Sequence, residues 1–469
     1  MKSVNMLEGP IIRTLAKLAL PIMASSVIQM GYNLVDMFWV GKLGSGAVAA
    51  VGAAGMYMWL GSGLATIPKM GGQVLTGQKL GEDDPEGAAN FAAAALRMAV
   101  LFGVVYGLLS VLLDKPLIGF YGLNEPSTIA QASAYHMITS GLVVFSFLGQ
   151  VLGGLFTAMG HTMINLRVTA IGMVLNMILD PLCVFGLGPI PGFGAAGAAS
   201  ATVFSQLCVF LLYLYSARKD ERLFKRIRFF SRTKKGSVRR IVHIGLPSAA
   251  QDCIFSLISM IIARIVAGWG DGAVAAQKVG TQIESISFMI SGGFATAINA
   301  FTAQNYGAGR LQRIQRGFST GSILMIAWGA IASFVLIVFP EPLMRLFIQE
   351  DEVVAIGVNY LRIMGMAEIF SCLEGLAAGM FQGMGHTVPP AVSGMTFNLL
   401  RIPTALGLSA TVLGLNGVWT AMSLSMFFKG TVLPVWFFFF LRRFIKTHQQ
   451  GTEAAAQTTI HPPVSSNGN

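Results

Sequence analysis

Charged residues are scarce in this sequence: Asp, Glu, Lys and Arg make up 11% of its 469 residues, against about 25% in a soluble domain. A soluble chain of this length needs a water-facing surface, and too few charges are present to build one. Lipid is the solvent that suits a chain that is 54% hydrophobic, with a mean hydropathy of +0.65. Cysteine is sparse too. Cys183, Cys208, Cys253 and Cys372 all fall in apolar segments without Cys-x-x-Cys spacing, so they read as small core residues rather than a disulfide framework or a metal site. A GxxxxGK[ST] phosphate loop and an HExxH motif are both missing, which removes the usual ATP-driven and metalloprotease chemistries. No catalytic constellation replaces them, so an enzyme is not expected, nor a cofactor beyond a coupling ion.

What is present is a series of long apolar runs. Spanning a bilayer takes about 20 such residues per helix, and runs at 14–40, 46–70, 88–113, 130–158, 163–187, 194–217, 241–268, 273–300, 317–340, 353–382, 388–411 and 415–441 qualify. Their continuity predicts helices rather than barrel strands. The start, residues 1–21, reads as an amphipathic lead into the first span and not as a cleavable signal. The stretch 218–240 holds eleven Lys and Arg, with Arg310, Arg313 and Arg316 and then Arg442, Arg443 and Lys446 further on. Loops on the opposite side carry little beyond Lys42, Lys115 and Arg345, and one carries Glu350, Asp351 and Glu352. The positive-inside rule then puts both termini and the central loop in the cytoplasm, with the chain in the inner membrane. Net charge +11 is explained by these loops, and nucleic acid is not an expected partner.

The two halves repeat. Leu20-Pro21 matches Leu246-Pro247, and at the same offset of 226 Gly46–Ala50 matches Gly272–Ala276, and Gln78 and Gly81 match Gln304 and Gly307. Met159-Gly160-His161-Thr162 recurs as Met384-Gly385-His386-Thr387; Asn176 and Pro181 pair with Asn398 and Pro403, and Gly194 and Gly197 with Gly414 and Gly417. Six spans per half return the chain to its starting side, so the halves are parallel repeats. The expected fold is an all-α integral membrane protein: twelve transmembrane helices in two six-helix bundles, related by a pseudo-two-fold axis along the membrane normal. Residues 1–217 and 241–445 form the bundles, 218–240 a basic cytoplasmic linker and 446–469 a polar, disordered tail. Two such bundles can rock about a central cleft.

Ionisable residues inside a membrane are costly, roughly 2.5–3.5 kcal/mol each on an insertion scale, and are functional candidates by default. Asp36 lies in the first span beside Tyr32 and Asn33. Asn176 and Asp180, at i and i+4, share a face of the fifth, and Pro181 frees the carbonyl of Met177. A carboxylate, an amide and a free carbonyl at one depth can hold a proton, Na⁺ or water. The second half has Ile262 and Ile402 where Asp36 and Asp180 stand, so the cation site is expected in the N-terminal bundle, with Thr202 and Gln150 as candidates to complete it. The second half has its own charges: Asp252, Arg264, Lys278, Glu284, Glu368, Glu374, Arg401 and Lys429. Of these, Glu284 and Glu374 are candidates for a substrate cavity, as is Tyr32. The 25 Met and 32 Phe mostly pack core and lipid faces, although such side chains also suit promiscuous binding. His161 and His386 read as turn residues rather than metal ligands.

The run Asn33-Leu34-Val35-Asp36-Met37-Phe38-Trp39-Val40-Gly41-Lys42-Leu43-Gly44, the two Met-Gly-His-Thr turns, Asn176…Asp180-Pro181 and the duplicated layout together resemble the multidrug and toxic compound extrusion (MATE) family over residues 10–445. The resemblance implies a monomeric antiporter that exports organic, often cationic, compounds in exchange for H⁺ or Na⁺. It is most similar to the DinF-like branch, whose acids fall in the N-terminal bundle. Carried over by position, Asp36, Asn176 and Asp180 form the cation site, with Thr202 and Gln150 nearby, and Pro21 is where the first helix bends. Two departures stand out. His161 and His386 replace an acid or Asn, and Ser371 occupies the tenth-span position that is acidic in the Na⁺-coupled branch, with Glu374 one turn on. The alternative within the same superfamily is a lipid-linked oligosaccharide flippase, which an acidic N-terminal bundle disfavours.

Overall fold

The structure, a computed structural model, describes residues 3–121, 123, 125–187, 190–231 and 234–460. The N-terminal lobe comprises α1 (Ile11–Gly41), α2 (Ser45–Gly81), α3 (Pro85–Leu112), α4 (Asp114–Gly119), α5 (Pro126–Gly141), α6 (Val144–Ala158), α7 (Thr162–Phe185) and α8 (Gly194–Arg218). The C-terminal lobe repeats the order as α9 (Ser237–Ala267), α10 (Asp271–Gly307), α11 (Leu311–Val338), α12 (Pro340–Arg345), α13 (Asp351–Gly365), α14 (Glu368–Gly383), α15 (Val388–Ser409) and α16 (Leu415–Ile460). A two-residue antiparallel pairing, Gly186–Leu187 with Ile190–Pro191, closes the turn between α7 and α8.

Among the described residues nine helices are long and apolar enough to cross a membrane, and α5–α6 and α13–α14 each make one bent span, of 44° and 48°. The 22-residue α15 is the twelfth; its buried Arg401 lowers its hydropathy. Large apolar side chains on the outer faces, such as Leu108, Leu112, Ile323 and Phe334, are exposed, as lipid-facing positions are. All four cysteines are free thiols.

The second and last spans extend furthest beyond the apolar runs. The second runs to Gly81 rather than 70 because its later turns (Gln73, Thr76) are buried against α9 and α10 rather than against water. The last helix runs through the segment expected to be disordered, as far as Ile460; Glu453-Ala454-Ala455-Ala456-Gln457 is a run of strong helix formers. Residues 461–469 lie outside the described residues.

The repeat sets the contact between lobes. Gln78 Nε2 donates to the Gly383 carbonyl (3.0 Å), and its equivalent Gln304 donates to the Ala158 carbonyl (2.6 Å). A Cβ added to Gly81 would overlap the Gln304 carbonyl, and one added to Gly307 would overlap that of Gln78. Gln73 donates to Asn299, 226 residues on, at 3.0 Å. The ends of α2 and α10 thus cross in backbone contact about the pseudo-two-fold axis. The Met-Gly-His-Thr turns close α6 and α14 alike: Gly160 and Gly385 have φ of +80° and +82°, and the His161 and His386 amides donate back to the Phe156 and Phe381 carbonyls. This is the glycine-ended helix stop in which glycine alone is unstrained.

An N-terminal strap spans the same end. The Val4 amide bonds the Gly160 carbonyl of the N-lobe at 3.2 Å. From the C-lobe, Asn305 donates to the Met6 carbonyl, Arg310 to Leu7, and Arg313 to Met6, Glu8 and Gly9. Met6 is wholly buried among residues of α1 and the C-lobe.

Just past the end of α2, α3 starts on an N-cap. Asp84 accepts from the Gly87 amide at 2.8 Å, with Pro85 at the first helical position. That bond, and then Lys79, hold the Asp84 carboxyl below its usual range. Because the folded value is depressed, the stabilisation is present above the unfolded value, about 3.9, and is lost as pH falls through that region. Asp84→Ala is expected to lower stability by about 1 kcal/mol at neutral pH and by progressively less below about pH 4. Denaturant unfolding of the detergent-solubilised protein at both pH values checks this.

Candidate functional site

The cluster expected from sequence assembles in the N-lobe because α1 packs along α7. Asn176 and Asp180 sit one turn apart on the α7 face toward the bundle interior, each 1% exposed. Asp36, on α1, brings its carboxyl close enough to Asp180 to interact, with Asn176 beside Asp180. None of these contacts is a hydrogen bond of normal geometry. The Asp36 Oδ1, both Asp180 carboxyl oxygens and both polar atoms of Asn176 are buried without such a bond among the described residues. Buried polar atoms are rarely left this way. Two carboxylates and an amide oxygen are hard donors that suit a proton, Na⁺ or water.

Thr202 joins through Tyr32, whose hydroxyl lies 3.4 Å from the Thr202 Oγ1. Gln150 stands apart and donates to Ser62 at 3.3 Å. Pro21 lies inside α1, which runs through it. The Lys17 carbonyl, which the missing Pro21 N–H would have engaged, instead accepts from Thr162 of the first Met-Gly-His-Thr turn at 3.4 Å. The equivalents of the two acids pack as an apolar core: Ile262 is buried with Ile258, Val266 and Ala405, and Ile402 packs against them.

Beside this cluster lies a cavity of about 610 Å³, within the range of small-molecule sites. Its wall comes from α1, α2, α6, α7 and α8, with Met289 and Thr296 from α10. Tyr32, Gln150, Asn176 and Thr202 line it. So does Lys69, which the sequence reading missed because it falls at the end of an apolar run, where a lysine normally reaches for the headgroups. The helix in fact continues for twelve more residues, to Gly81. Its signal was the test already applied to Asp36, a charge inside a span. Tyr135 was also missed; it is buried on α5 near Asp36 and Tyr32.

Glu284 and Glu374, expected to line a substrate cavity, do not line this one. Tyr360 donates to Glu284 at 2.9 Å, and Lys429 pairs with Glu374 at 3.0 Å. Glu368 accepts from Ser287 at 2.7 Å, and Arg401 donates to Ser425 at 2.9 Å. These side chains form a C-lobe network of their own. Each acid already has its partner, unlike Asp180.

The MatE family model matches residues 21–182 and 247–406, one match in each lobe. A probable multidrug resistance protein NorM of Thermotoga maritima is 28% identical over 438 residues, 92% of this chain and 93% of that protein. A FAD transporter of Shewanella oneidensis is 28% identical over 351 residues, 74% of this chain and 77% of that one. Among solved structures, a MATE transporter in its bent conformation superposes with a TM-score of 0.88 at 22% identity, covering 95% of this chain and 99% of that one. An outward-facing MATE family transporter of the MOP superfamily gives 0.87 at 22% identity, with 94% and 98% covered.

Proposed function

The chain belongs to the MatE family, a family of membrane transporters and not of enzymes, and from that premise we propose that it exports small organic molecules by alternating access, driven by H⁺ or Na⁺ exchange. The observation that carries the coupling is the Asp36–Asn176–Asp180 cluster, buried and unsatisfied beside a cavity of drug-sized volume. Neutralising those oxygens by a proton or Na⁺ removes the cost of two carboxylates side by side. It frees α1 to bend at Pro21, where the backbone ladder is already interrupted. The acids in the N-lobe support placement in the DinF-like branch.

Orientation follows from the basic loops. With both termini in the cytoplasm, the crossed ends of α2 and α10 and the strap lie on the cytoplasmic side. This conformation is then closed toward the cell interior, and the substrate is released outward. A proton moving down 100 mV supplies roughly 2.3 kcal/mol, and a pH unit about 1.4 kcal/mol. One-for-one exchange with a monovalent cation cancels the electrical part and leaves about tenfold accumulation per pH unit.

Purified protein in lipid vesicles provides the test. Counterflow of a fluorescent organic solute is expected under an imposed pH or Na⁺ gradient, collapsing with the matching ionophore. No counterflow of any organic solute under either gradient sinks the proposal.

A further inference from the structure

Lys69 is the one charged side chain on the cavity wall among the described residues. Its ammonium makes no hydrogen bond or ion pair among those residues. It feels the charge of Asp252 of α9, across the lobe boundary, with which it forms no ion pair. Neither Asp36 nor Asp180 lines the cavity, although their neighbours Asn176 and Tyr32 do. The rest of the polar wall is neutral, including Gln29, Ser62, Gln150, Asn165 and Gln206. The repeat places Ala295 at the equivalent position of the C-lobe, so the charge belongs to this cavity and not to the scaffold.

An unpaired ammonium inside a membrane protein is costly to keep. A bound organic cation would meet that ammonium with no wall carboxylate to balance it. A bound anion would supply the missing partner, through a charge-assisted hydrogen bond of the strong kind. Around it, side-chain amides and hydroxyls are positioned for the neutral polar parts of a ligand.

We propose that this cavity takes water-soluble organic anions bearing a carboxylate or phosphate, and that Lys69 holds the anionic group. The proposal rests on the exporter reading for its direction of transport but not for its binding chemistry. The cavity then has two separate poles: Lys69 for the substrate, and the Asp36–Asp180 pair for the coupling ion.

The experiment uses full-length protein with carboxyfluorescein as anionic probe and ethidium as cationic probe. Binding is read by fluorescence polarisation in detergent, and flux in proteoliposomes. Wild type, Lys69→Met, Lys69→Arg and Asp252→Asn are compared. Carboxyfluorescein is expected to bind the wild type and Lys69→Arg, and to bind Lys69→Met at least about tenfold more weakly, the loss of one strong contact. Ethidium binding is expected to hold or rise in Lys69→Met.

Binding of ethidium but not carboxyfluorescein to the wild type overturns the inference. So does equal weakening of both probes by Lys69→Met and Asp252→Asn, which would make Lys69 half of a structural pair between lobes. Displacement of the probe by dihexanoyl phosphatidylglycerol but not by glycerol phosphate assigns the pole to a lipid headgroup and likewise overturns it. Lysine-dependent binding without flux of either probe would sink the exporter reading and leave this one standing; ethidium flux without carboxyfluorescein binding would do the reverse.

Discussion

Asp36→Asn and Asp180→Asn are each expected to abolish ion-driven efflux while leaving the protein folded. Asn keeps the size of Asp and its capacity to hydrogen-bond, so α1 and α7 still pack, but it cannot take up a proton or lend a charge to Na⁺. What is lost is the coupling, worth about tenfold accumulation per pH unit even in the electrically neutral case. If the substrate is the anion that Lys69 would hold, one proton in for one anion out moves two charges. The loss is then larger, since each charge adds roughly 2.3 kcal/mol per 100 mV. Efflux from cells expressing each variant, with and without a protonophore and with and without Na⁺, reads this directly. Loss in both variants together with collapse of the wild type by protonophore alone identifies H⁺ as the coupling ion. Wild-type efflux that survives in both moves the coupling site to the C-lobe, where Glu284, Glu368 and Glu374 are among the acids available.

Gly81→Leu and Gly307→Leu are expected to do comparable damage by another route, far from either pole. Each glycine lies against the carbonyl of the other half's glutamine, with no space for a Cβ. Forcing a side chain there costs about 1–3 kcal/mol, which shifts the closed-to-open balance roughly ten- to a hundredfold. The protein should accumulate with the α2–α10 end open. A cysteine placed at Ala303, in a variant lacking the four native thiols, should become reactive to an impermeant reagent from that side, and efflux should fall. Substrate binding should persist. Gln78→Ala and Gln304→Ala lose one hydrogen bond each, about 1 kcal/mol, and should act in the same direction more weakly. Unchanged thiol reactivity and efflux in the leucine variants would show that these crossed ends are not a gate.

The features legible in the sequence were those that periodicity and duplication write plainly. The twelve spans follow from apolar runs. The paired lobes follow from an offset that the structure renders as contacts, with Gln78 and Gln304 each donating to the opposite lobe. Asp36, Asn176 and Asp180 stood out because a polar residue in an apolar run is expensive. Other features depend on packing that no local pattern carries. The bends in the fourth and tenth spans fall at Leu142-Val143 and Met366-Ala367, with no proline to mark them. Glu284 looked like Asp36 in sequence, yet Tyr360, 76 residues away, satisfies it. Lys69 was hidden by the opposite effect: the apolar run stops there, but the helix does not. The polarity of 446–469 predicts a disordered tail, whereas an alanine-rich run carries the last helix on to Ile460.

The strap carries a consequence for how the molecule is made. Its Met6, Leu7, Glu8 and Gly9 carbonyls accept from Asn305, Arg310 and Arg313, which leave the ribosome about 300 residues after it. The apolar cluster that Met6 joins also includes residues of α14 and α16, made later still. The strap can therefore take up these bonds only once the C-lobe that follows it has been made. Only with both lobes in place, Gly160 on one side and Asn305, Arg310 and Arg313 on the other, does the strap have its full set of partners.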